Sequence, residues 1–426
     1  MRSLYTLAWR IVAPLAPLRL WWRGRREPGY RARIGERFGR YGADAPAARG
    51  VVWIHAVSLG ETRAVAPLVA RIAQEIPDAT ILLTHMTATG REAGRALAGD
   101  RVVQAWLPYD VPFAVRAFLA RFTPRAGLLV ETEVWPNLTA ACADAGIPLL
   151  LVNARLSARS LAGYRRFARL TRPMFAALAG VAAQTTADGD RLAAAGATGI
   201  AVTGNLKFDA VAPAGAADAG RALRDRFGAL RPVLLAASTR DGEEALLLDA
   251  LARRALPAGA LVVIVPRHPQ RFADVAALLA TRGVAFVRRS AGADVPTNVR
   301  VVLGDTLGEL PAYYAAADVA FVGGSLLPLG GQNLLEALAA GTPTLVGPHT
   351  FNFADATQKA VEAGAARRVT DADALVGEAA VLLSDPARRA AMRDAAGAFL
   401  AAHRGATDRL WAWLAPRVRQ RVQPLD

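Results

Sequence analysis

Glu61 follows an apolar run and a serine-glycine turn in HAVSLGET, at the predicted first turn of a helix. A carboxylate in this position can accept a proton from an attacking hydroxyl when burial or a neighbouring charge adjusts its pKa. Ser58 and Glu61 also have the S-x-x-E spacing of a capping box, in which the glutamate serves only its own helix. Spacing alone leaves both roles open, so Glu61 is a candidate general base with an equally good structural interpretation.

A second group of charged residues lies in ETEVWPN and GNLKFD. Glu131 and Glu133 follow the apolar run AGLLV, and we expect only one of them to face a ligand. Either can hold an acceptor or position a base, unless it serves a helix N-terminus. Lys207 is one of only two lysines among 51 basic residues. Its compact ammonium suits a departing phosphate or a substrate carboxylate, whereas the alternative is a solvated surface lysine.

The segment GGQNLLEALAAGTPTLVGPHTFNF, residues 330–353, predicts a nucleotide-binding turn. The preceding run VAFVGGS ends in two glycines, where a phosphate can approach the backbone closely. Asn333 is the expected N-cap of the next helix, whose unpaired N–H groups and dipole suit a phosphate or ribose oxygen. Glu336 can accept hydrogen bonds from two ribose hydroxyls. A capping box formed by Asn333 and Glu336 is the alternative interpretation.

Two further turns follow apolar runs in the second half of the chain. VPRHPQRF places Arg267 and His268 in a proline-framed turn that suits contacts to a phosphate or a base. GDTLGEL places Leu307, Gly308 and Glu309 in another strand-to-helix turn. The alternatives are an ordinary surface arginine for the first turn and plain helix capping for the second.

Metal binding is not predicted. The chain has one cysteine, and its histidines and carboxylates lack the spacing of a zinc site. The acidic pairs at 188–190 and 371–373 are explained by turns and helix starts. No G-x-x-x-x-G-K-[ST] phosphate loop and no G-x-S-x-G motif occurs.

The elements that position these residues alternate between short apolar runs and helical stretches from residue 51 onward, which predicts parallel sheets covered by helices. The predicted strands are VVWIHAV, ATILLTH, RVVQAWL, AGLLVET, IPLLLVN, VAAQ and IAVT in the first half, then PVLLAAS, ALVVIVP, VAFVRR, VRVVLG, VAFVGGS and TPTLVGP. Because ligands bind beyond the carboxyl ends of parallel strands, we predict an α/β fold with two Rossmann-like doubly wound domains facing a central cleft.

The predicted domain boundaries follow from composition and length. A chain of 426 residues is expected to form two domains. We place an anchor and basic segment at 1–40, a first Rossmann-like domain at 41–208 and a second at 209–405, with a connection in the Ala-, Gly- and Pro-rich VAPAGAADAG. A final helix at 406–426 is expected to pack back on the first domain.

The N-terminal segment 4–22 is apolar and aromatic but contains two arginines and two prolines. An arginine at mid-bilayer costs about 2.5 to 3.5 kcal/mol on insertion scales, which favours an interfacial or shallow anchor over a full span. Basic residues that suit anionic lipid headgroups follow directly: Arg23, Arg25, Arg26, Arg31, Arg33, Arg37 and Arg40. The alternative is an amphipathic helix packed on its own globule. No small-residue signal cleavage site is present.

Charge and cysteine content restrict the compartment and the partners. The formal net charge is +15, yet the basic residues are spread along the chain without the interleaved aromatics of a single-strand binder. We therefore expect an anionic membrane surface and an anionic substrate, and no nucleic acid. The lone Cys142 excludes internal disulfides and fits a reducing compartment.

Six motifs in this order, HAVSLGE, ETEVWPN, GNLKFD, VPRHP, GDTLGEL and GGQNLLEALAAGTPTLVGPHTFNF, resemble those of the 3-deoxy-D-manno-octulosonic acid (Kdo) transferases of Gram-negative lipopolysaccharide assembly. The resemblance extends nearly end to end, including the apolar and basic N-terminal segment. It implies a GT-B glycosyltransferase that takes Kdo from CMP-Kdo and transfers it to the tetra-acylated lipid A precursor. It also implies an inverting, metal-independent reaction without a cofactor, at the cytoplasmic side of the inner membrane.

The resemblance assigns roles to the residues introduced above. It implies that Glu61 is the general base and that Glu131 and Lys207 stabilise the transition state. The implied CMP pocket consists of Arg267, His268, Leu307, Gly308, Glu309, Asn333, Leu334, Leu335 and Glu336. Leu334 departs from the family pattern, in which a proline is expected after the asparagine, but Asn333 and Glu336 are in place.

Other functions stay open on the sequence. A lipid A disaccharide synthase or a UDP-sugar epimerase would share the fold and would bind UDP rather than CMP. A basic non-enzymatic protein that binds nucleic acid or membrane would show salt-sensitive DNA affinity and no turnover.

Overall fold

The computed structural model describes residues 1–25, 27–42, 48–209 and 215–419. The chain forms two compact units, Met1–Ala210 with Gly405–Asp426, and Val211–Arg404. The described residues do not include Arg26 of the basic segment, residues 211–214 of the predicted connection, or the last seven positions of the chain.

The N-terminal segment forms two helices, α1 (Arg2–Val12) and α2 (Ala16–Arg23), joined by a short 3-10 turn. One side of α1 packs on the first unit, where the Trp9 ring stacks on Tyr109 and Trp135 at centroid distances of 5.7 and 6.2 Å. The other side exposes a row of apolar residues that continues onto α2, here called the N-terminal apolar stripe: Leu4, Leu7, Ile11, Leu15, Leu18 and Trp22. Within the described residues, no helix combines the length and apolar character needed to cross a bilayer.

The first unit contains a parallel sheet of seven strands. The strands are β1 (Val52–His55), β2 (Ile81–His85), β3 (Val102–Trp106), β4 (Ala126–Val130), β5 (Leu149–Ala154), β6 (Gly180–Ala183) and β7 (Ile200–Val202). The helices between them are α3 (Leu59–Ala64), α4 (Ala66–Glu75), α5 (Ala88–Arg95), α6 (Pro112–Phe122), α7 (Pro136–Asp144), α8 (Ala158–Arg166), α9 (Ala168–Ala176) and α10 (Thr186–Ala195).

The strand order of the first sheet is β3-β2-β1-β4-β5-β6-β7. Both faces are covered, so strands such as β1 and β4 are buried along their whole length, as parallel strands usually are. Alternate side chains of β1 serve opposite faces, with Trp53 in one apolar cluster and Val52 and Ile54 in the other. The strand order reverses between β1 and β4, which makes their carboxyl ends the expected ligand site.

The second unit contains a second parallel sheet of seven strands. Its strands are β8 (Val233–Thr239), β9 (Leu261–Pro266), β10 (Phe286–Arg288), β11 (Val301–Leu303), β12 (Val319–Val322), β13 (Thr344–Val346) and β14 (Ala366–Arg368). Its helices are α11 (Ala216–Phe227), α12 (Glu243–Arg253), α13 (Phe272–Thr281), α14 (Leu310–Ala316), α15 (Leu335–Ala339), α16 (Ala354–Glu362), α17 (Ala372–Ser384) and α18 (Pro386–His403).

The strand order of the second sheet is β10-β11-β9-β8-β12-β13-β14, and the order reverses between β8 and β12. The six strands predicted in this half are confirmed, whereas β14 was not predicted. It is a three-residue edge strand with two exposed arginines, so it lacks the apolar run that marks the buried strands.

The last described helix, α19 (Ala406–Arg419), belongs to the first unit. Leu410, Leu414 and Val418 join the apolar cluster on one face of the first sheet. The Asp209 carboxylate fixes the start of α19, because it accepts the backbone N–H groups of Gly405 and Thr407 at 2.8 and 2.5 Å.

Candidate active site

Glu61 lies in the first turn of α3, the helix that follows β1, and Glu131 directly follows the adjacent strand β4. The two carboxylates therefore come from the pair of strands at which the order of the first sheet reverses. Their charges interact, because Glu131 contributes to the pKa of Glu61. The structure thus brings together two candidates that are 70 positions apart by residue number.

Glu61 folds back over the start of α3. Its Oε2 accepts the backbone N–H of Val57 at 2.8 Å, and its Oε1 accepts the hydroxyl of Ser58 at 2.8 Å. The Ser58 hydroxyl oxygen in turn accepts the backbone N–H of Glu61 at 3.4 Å. The capping interpretation therefore describes these contacts, and the same contacts hold the carboxylate in one orientation at the end of β1.

The pKa of Glu61 is raised from 4.5 to about 7. Burial is the largest cause, and the negative charge of Glu131 adds to it, while the hydrogen bonds from Ser58 and Val57 oppose the rise. A carboxylate with a pKa near neutrality is a much better proton acceptor than an ordinary glutamate, because general-base catalysis is most effective near the working pH.

Glu131 has a different environment. Its side chain is buried, with a residue exposure of 5%, and its backbone has a positive φ of 62°. Oε1 lies 2.7 Å from Nζ of Lys207, and Oε2 lies 2.8 Å from Nε of Arg155. Burial pushes the pKa of Glu131 up, but the two cations outweigh it and hold the pKa below its ordinary value.

Glu133 bonds to a different partner from Glu131; both residues lie beyond the end of β4 at Val130, and the positive φ of Glu131 breaks the strand geometry there. Its Oε2 accepts the indole N–H of Trp135 at 3.0 Å, the ring that also stacks on Trp9 of α1. Burial, together with the charge of Glu131, raises the pKa of Glu133. The site therefore combines a carboxylate that is easily protonated, Glu61, with one that stays charged and bonded to two cations, Glu131.

In the second unit, Arg267 links the turn after β9 to two neighbouring segments. Its backbone N–H donates to the carbonyl of Thr239 at 2.9 Å, and its Nε donates to Oε1 of Gln332 at 3.2 Å. His268 beside it is exposed. Partial burial of the ring, then the charges of Arg240 and Arg267, lower the pKa of His268, so the neutral imidazole can donate one hydrogen bond and accept another at neutral pH.

The interpretation of Gly323 and Gly324, which follow β12, as a phosphate-binding site is wrong. The N–H groups of Gly324, Ser325 and Leu326 donate to the Glu243 carboxylate at 2.6, 2.9 and 2.9 Å, and Glu243 has an exposure of 1%. At Gly323, a Cβ atom would lie 2.7 Å from a backbone oxygen of β8. The absence of side chains at the two glycines therefore makes room for the Glu243 carboxylate and for β8.

Asn333 and Glu336 contact each other at the start of α15. Nδ2 of Asn333 donates to Oε1 of Glu336 at 3.2 Å, and Oδ1 of Asn333 accepts the N–H of Leu335 at 3.2 Å. The helix begins at Leu335, one position later than a cap at Asn333 implies. Leu334 and Leu335 are buried, so their side chains fix the turn in the core.

The turn 307–309 lies between β11 and α14. Leu307 is 74% exposed, and Gly308 has a positive φ of 82°. Glu309 bonds inward, since Oε1 lies 2.8 Å from a terminal nitrogen of Arg289 and Oε2 accepts the hydroxyl of Thr306. The Glu309 carboxylate thus supports the turn, which presents Leu307 and the backbone at the carboxyl edge of the sheet.

Sequence reasoning missed Arg155, which bonds to Glu131, and Arg240, whose charge lowers the pKa of His268. Each arginine directly follows a parallel strand, β5 and β8 respectively. The rule that ligands meet the carboxyl ends of strands would have found both. Within the residues that the structure describes, no group of three histidine, cysteine or acidic side chains could hold a metal ion.

Comparison with known proteins identifies the family. Residues 32–210 match the family model for 3-deoxy-D-manno-octulosonic-acid transferase, and residues 286–398 match the model for glycosyl transferases group 1. The 3-deoxy-D-manno-octulosonic acid transferase of Bordetella pertussis is 52% identical over 430 residues, which cover 97% of this chain and 99% of the relative. The Haemophilus influenzae enzyme of the same name is 38% identical over 404 residues, covering 93% and 94%.

A solved structure supports the fold. The crystal structure of the Anabaena protein HepE in complex with UDP has a TM-score of 0.58 and 15% identity, and the match covers 86% of this chain and 99% of that one. The two parallel sheets and this likeness confirm the GT-B-like α/β fold. The identity and coverage of the curated relatives show that the chain belongs to the 3-deoxy-D-manno-octulosonic acid transferase family and is a glycosyltransferase.

Proposed function

We propose that this enzyme transfers Kdo from CMP-Kdo to the lipid A precursor, with inversion and without a metal ion. Family membership supports the transferase class. The observation that supports the mechanism most strongly is the placement of Glu61 after β1 and of the charged Glu131 after β4, the strands between which the order of the first sheet reverses, together with the raised pKa of Glu61.

In the proposed reaction, Glu61 takes the proton of the acceptor hydroxyl. The acceptor oxygen then forms a bond to the anomeric carbon of Kdo, on the face opposite the nucleotide. The bond between that carbon and the phosphate oxygen breaks, and its electron pair leaves with CMP. The N–H of Val57 and the hydroxyl of Ser58 hold the Glu61 carboxylate in place for this step.

Glu131 and Lys207 are proposed to stabilise the transition state. The ammonium of Lys207 is the positive charge closest to the Glu131 Oε1, at 2.7 Å, among the contacts described above. It can balance the charge of a leaving phosphate or of the Kdo carboxylate while it remains bonded to Glu131. Side chains thus supply the positive charge in a metal-independent reaction, and we expect a chelator such as EDTA to leave the rate unchanged.

The second unit is proposed to bind the CMP portion of the donor. Arg267 and His268, the turn 307–309 and the segment 333–336 provide cationic, backbone and carboxylate groups at the carboxyl edge of its sheet. Since Glu243 occupies the N–H groups after the double glycine, we propose that Arg267 is the main phosphate ligand. Glu336 is proposed to accept the ribose hydroxyls.

We also propose that the N-terminal segment binds the cytoplasmic side of the inner membrane. The N-terminal apolar stripe lies exposed on α1 and α2, and basic residues such as Arg23 and Arg25 accompany it. An exposed apolar face with flanking arginines suits the boundary between acyl chains and anionic headgroups. This arrangement would bring the enzyme to its lipid acceptor.

The test uses the full chain with CMP-Kdo and the tetra-acylated lipid A precursor, and products are weighed by mass spectrometry. Mass increments of one or more Kdo residues support the proposal and also count the sugars added. Replacing CMP-Kdo by UDP-sugars is expected to yield no product. Turnover of a UDP-sugar without Kdo transfer would instead support the epimerase or disaccharide synthase alternatives.

A further inference from the structure

We propose that His85 is a positioning residue for Glu61, and that it acts through the peptide group between Ala56 and Val57. This inference rests on the proposed role of Glu61 as the base. It assigns a function to a buried histidine that does not contact the base itself.

One peptide group connects the two side chains. Nδ1 of His85 lies 2.9 Å from the carbonyl oxygen of Ala56. The N–H of the same peptide group, on Val57, donates to Oε2 of Glu61 at 2.8 Å. A hydrogen bond to the carbonyl side fixes the plane of the peptide group and polarises its N–H, which strengthens the bond on the other side. His85 thereby orients a donor that stabilises the charged form of Glu61.

The neighbours of His85 select the required tautomer. Nε2 of His85 lies 3.3 Å from the side-chain nitrogen of Gln104, which also donates to the carbonyl of Arg91 at 3.1 Å. An amide nitrogen only donates, so Nε2 accepts and Nδ1 carries the proton that Ala56 receives. Burial lowers the pKa of His85 to about 4, so this neutral donor persists over the whole working range.

Helix α5 packs closely against the side chains of His85 and Gln104. At Gly94 of α5, a Cβ atom would lie 2.7 Å from Nε2 of His85 and would also collide with the amide of Gln104. No side chain fits there unless the imidazole moves. Gly94 therefore offers a way to displace His85 without replacing it.

Two other side chains hold the following carbonyls of the same turn. Thr87 Oγ1 donates to the carbonyl of Val57 at 2.9 Å, and Thr62 Oγ1 donates to the carbonyl of Ser58 at 2.9 Å. These bonds keep the turn in shape, but neither carbonyl belongs to the peptide group whose N–H reaches Glu61. His85 is the side chain bonded to that group.

The charged groups near Glu61 and His85 belong to other side chains, so they remain when His85 is replaced. Glu61 is influenced by Glu131 and Glu133, and His85 by Arg91, while His55 is influenced by His85. His55 is also fully buried at the end of β1, but its Nδ1 bonds to Thr84 rather than to the turn that holds the base. His55 is therefore the matched control for loss of a buried imidazole.

The test compares pH profiles of kcat for His85→Leu, His85→Asn and His55→Leu. For His85→Leu we expect kcat to fall about tenfold with KM nearly unchanged, and the apparent pKa of the acidic limb to rise by about half a unit or more. His85→Asn, whose amide nitrogen can replace Nδ1, should restore most of the profile. His55→Leu should leave that apparent pKa unchanged.

A second pair of variants covers the case in which His85→Leu does not fold. Gly94→Ala should shift the pH profile in the same direction, whereas Gly163→Ala on α8, where a Cβ atom meets nothing within 4 Å, should not. An unshifted acidic limb in both His85→Leu and Gly94→Ala overturns the inference. The proposed function stands apart from this result, because it is tested by Kdo transfer itself and by the Glu61→Gln variant.

Discussion

Lys207 is 76 positions from Glu131 in the sequence, yet its ammonium nitrogen lies 2.7 Å from Oε1 of the Glu131 carboxylate. The contact joins the 3-10 turn at the end of the first unit's sheet to the end of β4. Arg155 holds the other oxygen, so the negative charge of Glu131 is compensated twice. The Glu61 carboxylate differs from that of Glu131, because it accepts hydrogen bonds from two neutral donors, the N–H of Val57 and the hydroxyl of Ser58.

Replacing Lys207 by methionine should damage both stability and transfer. Removing one partner of a buried ion pair costs up to about 3 to 5 kcal/mol. Arg155 still holds the other oxygen of Glu131 in this variant and limits the loss. We expect the free energy of unfolding to fall toward that range, measured by denaturant titration, and transfer to be lost. Lys359→Met is the matched control, because the only other lysine forms an exposed pair with Asp355 and should change stability by less than about 0.5 kcal/mol. Equal effects of the two substitutions would contradict the role of Lys207.

Acidification should weaken the first unit through Glu131. Its pKa is held below the ordinary value of 4.5 by Lys207 and Arg155 against the effect of burial. The stabilisation is therefore fully present above that ordinary value and is lost as pH falls through the lower pKa of the folded protein. Thermal unfolding of Glu131→Gln should depend less on pH below about 4.5 than that of the unaltered enzyme. An identical pH dependence would show that Glu131 is not the coupled group.

The pH dependence of transfer should report Glu61. As a base it must be unprotonated, so kcat should rise with pH and level off above the pKa of about 7. Stability should show the opposite sign. The folded protein holds an extra proton between 4.5 and about 7, so the free energy of unfolding decreases as pH rises across this range, by on the order of 3 kcal/mol at most.

Glu61→Gln removes that slope, because glutamine does not titrate. Denaturant titrations at pH 5 and pH 8 should therefore give more similar stabilities for the variant than for the unaltered enzyme. Glu92→Gln, at a helix position paired with Arg95 on the surface, is the control and should keep the slope. A slope that persists in Glu61→Gln would mean that another group titrates.

Replacing Glu243 by glutamine should disrupt the glycine-rich segment of the second unit. The carboxylate accepts four backbone N–H groups, from residues 240, 324, 325 and 326. An amide in its place turns one acceptor into a donor that faces those N–H groups, and an unsatisfied buried donor costs about 1 to 3 kcal/mol. Calorimetry should show weaker CMP binding together with a lower melting temperature. Unchanged CMP affinity would contradict a role for Glu243 in shaping the donor site.

Replacing Arg267 by alanine should weaken CMP binding about tenfold or more, because a charge-assisted bond to a phosphate is worth roughly 1.5 to 3 kcal/mol. Arg267→Lys keeps the charge but loses the planar fork and the bond from Nε to Gln332, so rescue should be incomplete. Arg388→Ala, an exposed arginine paired with Asp385, is the control. Calorimetric titration with CMP and with UDP measures affinity and nucleotide choice together, and an unaffected Arg267→Ala would remove it from the donor site.

Charged substitutions in the N-terminal apolar stripe should release the enzyme from membranes. Leu7 and Leu18 are exposed, so Leu7→Asp and Leu18→Asp should leave the melting temperature nearly unchanged. Binding to phosphatidylglycerol vesicles, followed by cosedimentation, should fall strongly. Leu230→Asp, at a position 96% exposed in the second unit, should bind vesicles like the unaltered enzyme. Vesicle binding that survives both stripe substitutions would place the membrane contact elsewhere.

The sequence predicted most of the sheet architecture because buried parallel strands carry continuous apolar runs. All seven strands of the first sheet came from such runs, whereas β14 lacks one and was missed. Glu131 was identified because it directly follows a strand, and Glu61 because it lies at the start of the helix after a strand. Their proximity depends on the strand order β2-β1-β4, and apolar patterns do not encode which strands are neighbours.

The double glycine shows where local patterns fail. A strand followed by two glycines and a helix is typical of a phosphate-binding site, but the same pattern can bind a carboxylate from the same chain. Glu243 is about 80 positions away from the glycines, so no local pattern could show that its carboxylate accepts their N–H groups. Arg155 likewise entered the site through a long-range ion pair.

Transfer of Kdo by the Glu61→Gln variant shows whether Glu61 is the general base. The variant and the unaltered enzyme are incubated with CMP-Kdo and the lipid A precursor, and the products are counted by mass spectrometry after CMP affinity has been matched by calorimetry. With Glu61 as the base, we expect unchanged CMP binding and a loss of transfer of about 10²- to 10⁴-fold, the usual contribution of a general base. Transfer at the unaltered rate by a folded, CMP-binding Glu61→Gln variant would contradict that role.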